Sequence, residues 1–225
     1  MRVLRGRAAT VGADRDVTAE MLATVGDDRV PAVRVWHPHR QVAFGRRDSG
    51  EDGYEAARDA ARDHGFPPVD RSVGGRAVAY ADTTLAFAFA EPVADFREGL
   101  DGRYERATAA VERALRDVGV DAERGEPDQA FCPGTHSLQS DGKIVGIAQR
   151  VRSDAALTAG VVIVDERETL AAVLADVYEA LGLSFDPDSV GSVARSGGND
   201  DPAAVRQAIE RAFVGEADAT VERVN

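Results

Sequence analysis

Lysine and cysteine are almost missing from this chain: of its 27 basic residues all but Lys143 are arginine, and Cys132 is its single cysteine. One cysteine excludes an intrachain disulfide. The basic start Met1 to Gly12 is followed by no apolar h-region, so a secretory leader is not expected and the cytoplasm is the natural compartment. No apolar run approaches the roughly 20 residues of a membrane-spanning helix. Walker A and G-x-G-x-x-G loops are absent, which removes the usual nucleotide fingerprints. No metal site is expected either: His37-Pro38-His39 lacks cysteine or carboxylate ligands at zinc spacing and reads as an exposed turn. A net charge of -12 argues against a nucleic-acid or anionic-membrane partner. With arginine in place of lysine, the acidity points to a chain that works at high ionic strength, where screening is short-ranged.

At 225 residues the chain fits one α/β domain spanning 1–225. Helices are expected over Asp16 to Gly26, Gly53 to Gly65, Gly102 to Gly119, Arg167 to Leu181 and Pro202 to Phe213, the last with proline just inside its start. The Gly102–Gly119 helix offers Ala107, Val111, Leu115 and Val118 along one side. Strands are expected over Pro31 to Trp36, where Val33 and Val35 alternate, and over Gln41 to Gly45 and Ala155 to Val164. Thr83 to Ala90 alternates Leu85, Phe87 and Phe89 against small residues. That small face either leaves room for an aliphatic chain or packs beneath a helix.

Three stretches carry the chemistry. Arg71-Ser72-Val73-Gly74-Gly75-Arg76 places paired glycines between two arginines. Such a loop lets the backbone approach a ligand while the arginines grip a carboxylate or phosphate, but it is also what an ordinary hairpin looks like. Cys132 precedes Pro133-Gly134, a turn signal, which favours a reactive thiol over a small buried hydrophobe. Ser137 to Ser140 and Lys143 to Ala148 read as strands joined by the Asp141-Gly142 turn. Lys143 therefore opens a strand, and where arginine is the default cation its presence implies a task for a compact ammonium.

In order and spacing, R-S-V-G-G-R-A-V at 71–78, F-C-P-G-T-H-S-L at 131–138 and D-G-K-I-V-G-I-A-Q-R at 141–150 resemble the biotin/lipoate protein ligase catalytic-domain family, closest to its octanoyltransferase branch. The resemblance runs from about residue 30 to about 195. It implies an α/β (α+β) fold with a mixed, largely antiparallel sheet packed with helices. It also implies transfer of octanoyl or lipoyl groups to a lysine of lipoyl-domain proteins, namely the E2 subunits of 2-oxoacid dehydrogenases and the glycine cleavage H protein. By position, Lys143 matches the family's active-site lysine and Cys132 the nucleophile of the transferring branch. The acyl site falls on Arg71, Ser72, Gly74, Gly75 and Arg76, with Gly146 and Ala148 on the lysine strand. Ligases carry a third glycine where this chain has Arg76, and a His-Gly pair where it reads Thr158-Ala159-Gly160.

The chemistry this implies is a thiolate attacking an acyl thioester, followed by aminolysis of the acyl-enzyme, with no cofactor. Lys143 would stabilise the oxyanion, an effect worth about 3 to 4 kcal/mol for one donor. His136 is a possible base for Cys132. The alternative is an ATP-dependent ligase acting through acyl-AMP, with ATP and Mg as cofactors and a separate accessory subunit. Two non-enzymatic readings are a carrier module acylated on Lys143 and an acyl-binding regulator without turnover.

Overall fold

The computed structural model describes residues 1–71, 74–95 and 99–224. In chain order the elements are β1 (Arg2–Arg5), α1 (Val11–Asp28), β2 (Ala32–Trp36), β3 (Gln41–Phe44), α2 (Tyr54–Asp63), β4 (Pro68–Asp70), β5 (Val78–Tyr80) and β6 (Leu85–Pro92). They continue with α3 (Leu100–Asp117), β7 (Glu123–Arg124), β8 (Ser137–Gln139), β9 (Lys143–Val151), β10 (Ala155–Val162), α4 (Arg167–Ala180), α5 (Pro202–Val214) and β11 (Thr220–Arg223). The strands form an eight-stranded sheet in the order β11-β1-β2-β6-β10-β9-β8-β7 and a three-stranded sheet in the order β4-β3-β5. In the large sheet β1 runs parallel to β11 and β2, and every other neighbouring pair is antiparallel. The fold is thus the mixed, largely antiparallel α/β architecture expected.

The alternation in β6 sets the layers, because successive side chains of a strand point to opposite faces. Leu85 and Phe87 enter a core with Val111, Leu115 and Ile209 of α3 and α5. Ala88 and Ala90 face the other way and, with Ala32 and Ala155, pack under Met21, Leu22 and Val25 of α1. Those alanines therefore lie beneath a helix; their small size lets α1 sit close to the sheet. A third core joins the small sheet to α2 and α4 through Val42, Phe44, Ala57, Ala61, Leu174 and Val177.

Several boundaries differ from the sequence expectation. Helix α1 starts at Val11, where the Thr10 hydroxyl caps the Ala13 N–H at 3.2 Å, and it runs through Gly26 to a left-handed Arg29. The chain from 68 to 80 is no hairpin: β4 and β5 lie on either side of β3 and do not pair with each other. The His37-Pro38-His39 turn is not exposed: Pro38 is buried, both histidines are half-buried, and His39 Nε2 lies 2.9 Å from the Ala8 carbonyl. Strands β1 and β11 have no counterpart in the expected elements; their pairing joins Arg2 to Thr220, and all four β11 residues are exposed. The chain does turn at Asp141-Gly142, whose φ values are both positive, 50° and 109°, but Gln139 pairs with Lys143, so the loop holds three residues, Ser140 to Gly142, beside a register shift, and not the two expected. No helix among the described residues is long and apolar enough to cross a membrane.

Candidate active site

Lys143 begins β9 and is 1% exposed. Its ammonium has three protons and meets three acceptors: Glu126 Oε2 at 2.6 Å, the Phe131 carbonyl at 3.0 Å and the Cys132 carbonyl at 3.0 Å. Nζ also lies 4.9 Å from the centroid of the Phe131 ring. A compact ammonium can aim donors at three converging acceptors, whereas a planar guanidinium would overrun the slot.

Glu126 completes this arrangement, and sequence reasoning missed it. Its Oε1 accepts the Gly134 N–H at 2.8 Å, and its Oε2 accepts the Ser137 hydroxyl at 2.9 Å as well as Lys143. One ion pair thereby holds the whole turn from 131 to 137. Only a bridge across that turn distinguishes Glu126 from the other acidic residues, and a linear sequence does not reveal it.

Cys132 is half-buried and takes φ 40°, a left-handed conformation that costs a non-glycine residue about 1 to 3 kcal/mol. Tyr178 of α4 sustains it: its hydroxyl accepts the Cys132 N–H at 2.6 Å and donates to the Ala77 carbonyl at 3.1 Å. Burial pushes the Tyr178 phenol far above its ordinary value, so it stays a neutral donor. Tyr178 was also missed, since on an amphipathic helix it reads as core.

The glycine loop closes over the sulfur. A Cβ on Gly75, which has φ 92°, would lie 2.9 Å from Cys132 Sγ and 3.1 Å from Arg71 Nη2. Gly45 supports this loop from below, since a Cβ there would meet the Gly75 carbonyl oxygen at 2.1 Å. Gly45→Ala is therefore expected to destabilise the fold by about 1 to 3 kcal/mol, measured by urea denaturation, because the obstacle is backbone.

The other expected site residues divide. Arg71 Nη2 donates to the Arg76 carbonyl at 2.5 Å and to Cys132 Sγ at 3.4 Å, so Arg71 joins the thiol. The Arg76 guanidinium turns away to Glu51 at 2.6 Å and Asp48 at 3.4 Å. Gly74 is exposed, and Ser72 lies outside the described residues. Gly146 sits beside Lys143, a Cβ on it falling 3.6 Å from Lys143 Cε; Ala148, further along β9, is exposed. Gly146 also lies in a cross-strand row, Trp36–Ala86–Val161–Gly146–Ser137, which runs from β2 over β6 and β10 to the lysine strand and on to β8. The His136 ring stacks on Tyr104 at 3.6 Å, and no hydrogen bond joins it to Cys132 among the described residues.

The framework is that of the lipoate-ligase catalytic folds. Lipoate-protein ligase A, solved with ATP bound, matches with a TM-score of 0.78 at 20% identity, over 100% of this chain and 89% of that one. The chain belongs to the family described as Lipoyl protein ligase A/B catalytic domain, which it matches over residues 15–214. Among curated relatives, an octanoyl-[GcvH]:protein N-octanoyltransferase of Exiguobacterium sp. is 28% identical over 164 residues, 72% of this chain and 58% of that protein. The protein of the same name from Bacillus velezensis is 31% identical over 134 residues, 58% of this chain and 46% of that protein. The chain thus spans about half the length of the curated relatives it matches.

Proposed function

We propose that this protein is an acyltransferase that moves an octanoyl or lipoyl group onto the lysine of lipoyl-domain proteins through a thioester on Cys132. The observation that carries this reading is the pairing of a half-buried thiol, held in a left-handed turn, with a buried lysine whose ammonium bonds that same turn. The names of the relatives, which act between GcvH and other proteins, support the substrate class.

In the first step the Cys132 thiolate attacks the carbonyl carbon of an acyl thioester. A C–S bond to Cys132 forms, and the bond to the donor sulfur breaks. In the second step the neutral amine of the acceptor lysine attacks that carbon, the C–N bond forms, and the electron pair of the C–S bond returns to Cys132. The proton released by the amine balances the one taken up by the donor thiol. Lys143 meets the developing oxyanion by giving up one of its two carbonyl contacts, so its charge is in place before reaction. The row through Ala86, Val161 and Gly146, which passes beside Lys143, would give the acyl chain a floor.

The test is intact mass after incubation with an octanoylated carrier protein without ATP, for wild type and Cys132→Ala. A hydroxylamine-labile octanoyl adduct on wild type alone is the expected result. If no adduct forms, and octanoate with ATP gives an acyl-adenylate on both proteins, the enzyme is instead an ATP-dependent ligase.

A further inference from the structure

Attack on a thioester is made by a thiolate, and the imidazole that usually faces a catalytic thiol is missing among the described residues. Of the four histidines, His136 stacks on Tyr104, His39 meets the Ala8 carbonyl and His64 meets Asp176. The fourth, His37, is hydrogen-bonded to the backbone at Asp82. No imidazole contacts Cys132 among the described residues, and the Lys143 ammonium is already shared among Glu126 and two carbonyls.

The cation that does touch the sulfur is Arg71. Its backbone N–H is anchored to the Phe44 carbonyl at 2.9 Å, and its Nη2 is shared between the Arg76 carbonyl and Cys132 Sγ. Its Nε is buried without a hydrogen-bond partner. Gly75, lacking a side chain, is what lets the guanidinium and the sulfur meet across the loop. The other titratable groups around the thiol are Tyr80 from β5, Tyr178 from α4, Asp48 from the turn after β3, and the Glu126–Lys143 pair. Asp48 is engaged by the Gly45 N–H and Arg76, and burial pushes its carboxyl upward. Burial also raises both tyrosines, leaving them neutral. For Arg71, burial works against the charge, while the Cys132 sulfur, 3.4 Å from Nη2, and Asp48 favour it.

Resting on the thioester reading above, we propose that Arg71 is a catalytic residue that pairs with the Cys132 thiolate, the part an imidazolium plays in cysteine–histidine enzymes. A guanidinium cannot accept the thiol proton, so that proton goes to solvent as the thiolate forms, and the Arg71 guanidinium stands 3.4 Å from the sulfur to receive the charge. Acylation consumes the thiolate. Aminolysis restores it as leaving group, and Arg71 again faces a negative sulfur.

Because Cys132 is the single cysteine, iodoacetamide alkylation of the native protein reports on this thiol alone. At neutral pH Arg71→Gln is expected to slow alkylation by about tenfold or more and to displace its pH profile upward, since an adjacent opposite charge favours the ionised form to at least that extent. Arg71→Lys, which keeps a cation, should recover most of the rate. Alkylation of Arg71→Gln as fast as wild type, or faster, overturns the proposal. Should Arg71→Gln fail to fold, the thiolate ultraviolet absorbance of wild type against Cys132→Ser at neutral pH decides: its presence supports the pair and its absence overturns it. Alkylation needs no acyl donor, so a normal Arg71 effect without an octanoyl adduct would sink the acyl-transfer reading and leave the ion pair standing.

Discussion

Lys143→Met is expected to cost about 3 kcal/mol of folding stability and to lower acyl transfer by at least about a hundredfold, and adding Glu126→Gln should return much of the stability but none of the activity. The reason lies in the burial of the pair. The Lys143 side chain is 2% exposed and the Glu126 side chain 18% exposed, with 2.6 Å between them. Removing the lysine alone leaves the Glu126 carboxylate without a counter-charge, held only by the Gly134 N–H and the Ser137 hydroxyl, and deprives the Phe131 and Cys132 carbonyls of their donor. An unpaired buried group of this kind costs more than the intact pair ever contributed. Neutralising Glu126 removes the stranded charge, so the two losses are not additive. Urea denaturation of the two single variants, the double variant and wild type measures that coupling. Losses that simply add would show that the pair is solvated and that the turn is held by something else. Lys143→Arg should not rescue transfer, because a longer planar cation cannot enter the slot without displacing Phe131 or Cys132.

How much of this was legible in the chain depended on whether a residue's meaning was local. Lys143 stood out because it is the sole lysine among arginines, and the Asp141-Gly142 turn fixed its place at the start of a strand. The large-and-small alternation of β6 was equally readable, since a period of two is a property of the strand itself. Glu126 and Tyr178 were not, because each owes its role to partners brought close only by the fold, 17 positions away for Glu126 and 46 for Tyr178. The contact of Arg71 with Cys132 spans 61 positions. From sequence, Arg71 and Arg76 looked like two equal claws of one anion grip. The structure separates them by what each finds nearby: a thiol for the first, the carboxylates of Asp48 and Glu51 for the second. The edge pairing of β1 with β11 was hidden for a related reason, since neither strand carries an apolar run and each is defined by the other.

Arg34 makes the same point inside the core, and its removal or that of its partner should have the larger effect on stability. In Ala32–Trp36 the alternation of Val33 and Val35 leaves Arg34 on the face where a half-buried strand meets water. That face is instead covered by α1, and Arg34 is 0% exposed. Its Nη2 lies 2.6 Å from Asp14 Oδ1 and 3.0 Å from the Gly6 carbonyl, and Nη1 reaches the Asp14 carbonyl at 3.1 Å. The guanidinium also lies 4.2 Å from the centroid of the Trp36 ring. Burial weakens the hold of Arg34 on its proton, and Asp14 opposes that shift. Asp14→Ala would therefore leave a cation in the interior, at an expected loss of about 3 to 5 kcal/mol; Arg34→Met with Asp14→Ala together should lose less than Asp14→Ala alone. Salt distinguishes this pair from the surface bridges of an acidic protein. Mobile ions screen exposed charges within about 10 Å at 0.1 M but do not enter a sealed contact, so the loss measured by urea denaturation should be the same in dilute buffer and in high salt. A loss that shrinks as salt rises would place Arg34 in contact with solvent and detach α1 from the sheet beside Trp36.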